Sequence, residues 1–288
     1  MNSHRGPGRL FFAGLLICAG QSSTVAHCED SSRSAQAPPW TPRSAAQIDL
    51  TGYWVSVITQ DWIYRMVTPR KGDLGSVPLN ATGQELAKTW DPSRDLGRDA
   101  QCMAYGAPGV MRQPGRLHIY WENEQTLRID LTAGQQTRLL HFSETVPPAG
   151  FATSEIPLSI LQPQAPPGPA TLQGYSVAVW QKIAQVRGLG IVGMTSTPPP
   201  TPNQRGTLRV VTTHMRPGYL QKNGIPFSAD AVLTEYFDLI RLPSGDQYLI
   251  ETSIVEDPTY LTEPYVTSTQ FKHEPDGSLW TAMACHSS

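Results

Sequence analysis

Three consecutive segments decide the fold: Arg116-Leu117-His118-Ile119-Tyr120-Trp121-Glu122, Leu127-Arg128-Ile129-Asp130-Leu131 and Thr137-Arg138-Leu139-Leu140-His141-Phe142. Side chains on a strand alternate between its two faces. Leu117, Ile119 and Trp121 therefore share one side of the first segment, and Arg116, His118, Tyr120 and Glu122 share the other. The period of two, the β-branched and aromatic content and the turn residues Thr132-Ala133-Gly134 read as hairpin-connected strands.

The same pattern extends in both directions. Ile48–Ile58 and Asp61–Val67 are strand candidates upstream. Downstream are Gly174–Trp180, Thr207–His214, Ala231–Leu242, Gln247–Val255, Tyr265–Lys272 and Leu279–Met283. Thr82–Trp90 is the single convincing helix, with Thr82 as cap and Glu85 completing a capping box. Residues 145–171 and Gly188–Asn203, the latter with a Pro198-Pro199-Pro200 tract, read as long loops, because proline cannot supply ladder N–H groups. About ten antiparallel strands must close on themselves or pack as two sheets to hide their edges. The expected fold is mainly β, an antiparallel and closed barrel with long Pro-rich loops and one short helix. No helical crossover pattern supports a parallel α/β sheet, and no internal repeat supports a propeller or solenoid.

Composition agrees. The chain has 288 residues with 26 Pro and 24 Gly, 39% hydrophobic and 16% charged, and a net charge of −2. That charged share lies well below the roughly 25% of an average soluble protein. It excludes a coiled coil, a disordered polyelectrolyte and a nucleic-acid binder, since no basic block is present to hold a phosphate backbone.

Residues 1–26 have the layout of a secretory signal peptide: Arg5 and Arg9, an apolar core from Leu10 to Ala19, then Thr24-Val25-Ala26 as the cleavage site. The apolar core is about ten residues, short of the roughly twenty that span a bilayer. The mature chain carries no membrane-spanning candidate, so it is expected in the periplasm or outside the cell. Residues 27–48 read as a flexible leader, and 49–288 as one domain. In an oxidising compartment Cys102 and Cys285 are expected to form a disulfide. No CxxC or metal-ligand spacing is present, and no cofactor is implied.

Several segments resemble an uncharacterised family of secreted bacterial β-rich proteins. They are Asp49-Leu50-Thr51-Gly52-Tyr53-Trp54-Val55-Ser56, Pro114–Glu122, Gln135–Arg138, Gly174–Trp180, Leu233-Thr234-Glu235-Tyr236-Phe237 and Asp257-Pro258-Thr259-Tyr260. Members share a Gly-Tyr-Ser strand ending at Trp, and many have a His-Ser pair where this chain has Phe227-Ser228, so a role for that His does not transfer. The resemblance implies no activity. A weaker likeness to the calycin group, which includes lipocalins, rests on Gly52-Tyr53-Trp54 at the start of the first strand. It implies a barrel whose end is plugged by Trp54.

Two arrangements follow for the polar strand faces. If they point inward, Glu122, Glu235 and His118 converge in the lumen as general acid and base, since burial raises a carboxyl pKa toward neutrality. Tyr120, Arg138 and Tyr175 then line the cavity, and Arg128 and Asp130 complete a charge network. If they point outward, the charges are solvated and the lumen is apolar, as in a half-buried antiparallel sheet. Gly174-Tyr175-Ser176-Val177-Ala178 approximates a nucleophile elbow, but Val, Ala, Val and Trp after Ser176 continue a strand, where an elbow needs a turn and a helix. Three functions fit: a carrier of a small hydrophobic or amphipathic molecule; a cofactor-free lyase, hydratase or isomerase; or an envelope accessory protein acting through a protein partner.

Overall fold

The computed structural model describes residues 41–95, 97–142, 168–181 and 206–286. Its strands are β1 (Gly52–Val57), β2 (Arg116–Asn123), β3 (Thr126–Leu131), β4 (Gln136–Phe142), β5 (Tyr175–Gln181), β6 (Thr207–Thr213), β7 (Gly218–Gln221), β8 (Ile225–Phe227), β9 (Val232–Arg241), β10 (Gln247–Glu256) and β11 (Tyr265–Glu274). Nine of them close into a barrel in the order β1-β11-β10-β9-β6-β5-β4-β3-β2, and β7 and β8 form a separate hairpin. Closure is made by β1, which pairs with both β2 and β11.

The barrel is mixed, not purely antiparallel as expected. β4 and β5 run parallel, with Leu140 opposite Ser176. The reason is arithmetic: nine is odd, and strict up-and-down alternation around a closed ring needs an even number of strands. One parallel pair is the least a nine-stranded ring can contain. The pair falls where residues 143–174 separate β4 from β5, a parallel connection needing a dozen or more residues to return to the starting end.

The alternation assigns the faces. Leu117 and Ile119 of β2, Leu127 and Ile129 of β3, Leu140 of β4, Ala178 of β5, Leu208 and Val210 of β6, Phe237 of β9, Leu249 of β10, Phe271 of β11 and Trp54 of β1 are buried together in the lumen. Trp54 is fully buried and donates from Nε1 to the Leu50 carbonyl at 3.0 Å. A second apolar cluster, with Val77, Leu79, Ala87, Leu220, Ile225 and Phe227, gathers Leu233, Val255 and Tyr265 from one end of the barrel and caps it.

Several local expectations are corrected. Asp61–Val67 is not a strand: it holds helix α1 (Trp62–Met66), entered through Asp61 at φ 51°. The turn brings Arg65 N–H to the Asp61 carbonyl at 3.0 Å and buries the Arg65 side chain. Helix α2 (Ala81–Thr89) begins one residue before Thr82, and its cap is Asn80, whose side chain accepts from Gly83 N. Short helices α3 (Arg98–Gln101) and α4 (Ala107–Val110) join these, so the helical content exceeds one element. Leu279–Met283 contributes only a single bridge, Met283 with Ala133.

The leader ends earlier than residue 48. From Thr41 the chain is packed on the barrel: Thr41 and Ser44 bond each other, Trp180 Nε1 donates to the Pro42 carbonyl at 2.8 Å, and Ile48 is buried. Residues 1–40, with the expected signal, and the loop Gly188–Asn203 lie outside the described residues, as does the Pro-rich connection through residue 167. Cys102 and Cys285 form the expected disulfide, with Cα atoms 5.0 Å apart. It pins the C-terminal segment against Gly134, which sits at φ 64°; a Cβ there would lie 2.7 Å from Tyr105 and 2.9 Å from Cys285 Sγ.

Candidate functional site

A band of polar side chains crosses the otherwise apolar lumen. Arg138 of β4 and Glu235 of β9 are both fully buried and form a bidentate pair, Nη1 to Oε1 at 2.6 Å and Nη2 to Oε2 at 2.5 Å. Two strands, β5 and β6, stand between β4 and β9 in the wall, so the pair reaches across the lumen. Arg138 Nη2 also donates to Thr212 Oγ1 at 3.4 Å, and Thr212 bonds Ser176 Oγ at 2.7 Å. Ser176 is thus a strand residue in a hydroxyl chain, not an elbow nucleophile. Burial disfavours the guanidinium charge of Arg138, but the facing Glu235 carboxylate outweighs burial and holds its pKa above the ordinary value.

Glu251 of β10 completes the band. It is fully buried and accepts from Thr269 Oγ1 at 2.5 Å through Oε2. Burial, then the nearby Glu235 charge, push its carboxyl up to about 8, against the opposing influence of Thr269, Arg138 and Arg112. Burial and the Glu235 charge therefore favour the neutral acid at Glu251. A buried neutral acid beside a buried ion pair is the arrangement expected when two carboxylates share one guanidinium.

Below the band, at the capped end, Arg65 Nε donates to the Arg112 carbonyl at 2.9 Å and Arg112 Nη2 pairs with Asp61 Oδ2 at 2.9 Å. The Arg112 guanidinium lies 5.8 Å from the Tyr265 ring centroid. Burial and the neighbouring Arg112 charge lower the Arg65 pKa to about 10.

The sequence-derived candidates divide across the barrel wall. Glu235 and Arg138 are inside, as the inward arrangement requires. His118, Tyr120 and Glu122 are outside, because their neighbours Leu117 and Ile119 fill the lumen. The convergence of Glu122 and His118 with Glu235 is therefore not formed. His118 stacks on Tyr53 with ring centroids 4.1 Å apart and lies 4.6 Å from Tyr120. Burial lowers its pKa, against the pull of Asp130. Asp130 accepts from Thr137, Arg128 and Tyr120; burial alone would raise its carboxyl, but these bonds hold it below its ordinary value. Glu122 lies 3.6 Å from Arg128. Tyr175 is also outside, stacked on His141 at 5.0 Å. His118, Tyr120, Glu122, Arg128 and Asp130 form an outer network on β2 and β3, apart from the Tyr175–His141 stack. Among the described residues no three His, Cys, Asp or Glu side chains gather into a metal site.

Glu251, Arg65 and Arg112 went unnoticed in the sequence. A signal was present for Glu251: it keeps the phase of Leu249, Ser253 and Val255 on β10, as Glu235 keeps that of Leu233 and Phe237 on β9, placing a carboxyl on the apolar face of each strand.

The opposite end of the barrel carries a cleft of about 690 Å³, lined among the described residues by Arg43, Gln47, Ile48, Asp49, Thr51, Trp121, Leu239 and Arg241. Trp121, Phe142 and Trp180 form an aromatic ladder beside it, with centroids 5.4 and 5.5 Å apart. Arg43 is engaged by Glu124 at 3.2 Å, while Arg241 is exposed at the end of β9. Fold and site together define a closed nine-stranded mixed β-barrel whose apolar lumen is crossed by a buried polar band. No family model, curated protein or solved structure matches the chain.

Proposed function

We propose that the protein is an exported binding protein that takes a small amphipathic molecule at the barrel mouth. The observation that carries this reading is the cleft of about 690 Å³, which falls in the size range of small-molecule sites, roughly 300–1,000 Å³. Its chemistry is two-sided. Trp121, Leu239 and Ile48 offer an apolar floor, and Arg241 favours an acidic end group on the ligand. The disulfide and the N-terminal pattern support export. No helix among the described residues is long and apolar enough to cross a membrane. A lyase or isomerase built on Glu122, Glu235 and His118 draws no support from the geometry, since the wall separates them.

The test is titration with 1-anilinonaphthalene-8-sulfonate, an apolar ring system bearing one anionic group. Saturable binding should weaken about tenfold in Arg241→Ala, roughly 1.4 kcal/mol, and more in Trp121→Ala. His118→Ala and Glu122→Ala, on the outer wall, should bind as the parent does. Equal binding by the parent, Arg241→Ala and Trp121→Ala would refute the assignment.

A further inference from the structure

The capped end of the lumen carries an excess of buried hydrogen-bond donors. Arg65 Nη1 and Nη2, Arg112 Nη1 and the Tyr265 hydroxyl are all buried without a hydrogen-bond partner among the described residues. Arg65 and Arg112 are each only 5% exposed and Tyr265 only 4%. They are neighbours: Arg65 Nε bonds the Arg112 carbonyl, and the Arg112 guanidinium lies over the Tyr265 ring. Tyr265 and Glu251 both point inward, on the adjacent strands β11 and β10. Glu251 Oε1 is likewise buried and without a partner, while Oε2 accepts from Thr269. In the neutral form that burial favours, a proton on Oε1 makes a fifth donor. Against these stand two unpartnered acceptors in the cap, Gln221 Oε1, whose side chain lies beside the Tyr265 hydroxyl, and Asn223 Oδ1.

The charges are out of balance in the same place. Arg138 is matched by Glu235, and Arg112 by Asp61. Arg65 has only a neutral carbonyl on Nε, and no carboxylate pairs with it among the described residues. A buried guanidinium without a counter-charge is costly unless it is paired and hydrogen-bonded. Donors in excess, one surplus positive charge and a planar guanidinium fork match the shape and charge of an oxyanion.

We propose that the capped end of the barrel is a buried binding site for one small oxyanion, a carboxylate or an inorganic phosphate, held by Arg65, Arg112, Tyr265 and Glu251. It is distinct from the mouth cleft, which has none of these residues. Asp61, whose side chain is 27% exposed, marks where the site approaches solvent.

Thermal unfolding in acetate, phosphate and chloride at equal ionic strength reads the proposal. At a hundredfold excess over its Kd, a bound oxyanion should raise Tm by on the order of 5–10 °C, saturably. Saturation by acetate alone identifies a carboxylate site and saturation by phosphate alone a phosphate site; either supports the proposal. Tyr265→Phe should move half-saturation to about tenfold higher concentration, and Arg65→Met should abolish it, while Arg241→Ala leaves it unchanged. A measurement on the unaltered chain stands beside the variants: crystals soaked in selenate should show an anomalous peak within hydrogen-bonding distance of Arg65 and Arg112. Equal Tm in all three salts, together with selenate-soaked crystals lacking that peak, would overturn the proposal and leave these donors to water.

Discussion

Replacing Glu251 by Gln should make the protein more stable at pH 7–9 while changing little near pH 4. The carboxyl keeps its proton up to about pH 8 in the folded barrel, whereas the ordinary value is 4.5. Between those values the folded chain binds one proton more than the unfolded chain. Stability then falls as pH rises, at up to about 1.4 kcal/mol per pH unit, and levels off above pH 8. This is opposite in sign to the usual salt-bridged carboxylate. Relative to the acid limit the loss is about 1 kcal/mol at pH 5, about 3 at pH 7 and approaches about 5 above pH 8. Gln has the shape of the neutral acid and can still accept from Thr269 Oγ1, so the variant should lack the slope. The groups facing Glu251 are Glu235, Arg138, Arg112 and Arg65. Urea unfolding of parent and variant from pH 4.5 to 9 gives the difference directly, because the other titrations cancel. A difference that stays flat with pH, or a variant less stable at pH 8, would show that Glu251 is ionised beside the arginines and would refute the reasoning.

Glu235→Gln should cost about 3–5 kcal/mol, since it leaves Arg138 buried without its counter-charge. It should also lower the Glu251 pKa, because the like charge is gone and Arg138 is free to face it; urea midpoints against pH report both effects. The double variant Glu235→Gln/Arg138→Met should recover much of the stability, and a loss equal to that of Glu235→Gln alone would show that charge is not the cause. Removing the disulfide by Cys102→Ala/Cys285→Ala should cost about 2–5 kcal/mol through the long loop it closes. Thermal unfolding of oxidised parent against the variant measures this, and unchanged Tm would contradict it.

The strand pattern was legible because a closed barrel with an apolar lumen imposes period two on every strand. β2 shows it most plainly, with Leu117 and Ile119 inside and His118, Tyr120 and Glu122 outside. Helix α1 was not legible: Trp62-Ile63-Tyr64 is rich in β-formers, and Trp62 and Ile63 are exposed. What fixes the turn is Asp61 in the left-handed region and the tertiary demand of Arg65, which pairwise contacts satisfy and propensity does not report. The site was half legible. Glu235 and Arg138 were singled out, but polar residues on β2 share a face with one another, whereas Glu235 and Glu251 interrupt apolar faces. A lone carboxyl among inward apolar residues marks the lumen better than a run of charges, because a run has water available to it and a lone buried acid does not.

That distinction bears on how the barrel selects its register. Shifting a strand by one residue exchanges its two faces. For most strands here the exchange would swap apolar residues for polar ones, a graded penalty. For β4 it would carry Arg138 outward and put Leu139 in the lumen, leaving Glu235 without its bidentate partner at 0% exposure. For β10 it would expel Glu251 and draw in Ile250 and Thr252, and Thr269 would lose its acceptor. β5 pairs with β4 in parallel over only three positions, Leu140–Ser176 to Phe142–Ala178, the weakest specified junction of the ring. The Ser176–Thr212–Arg138–Glu235 chain spans that junction from inside, joining β5, β6, β4 and β9. Polar groups that cost stability when buried thus make the misregistered alternatives cost more, at the one place where backbone pairing alone specifies least.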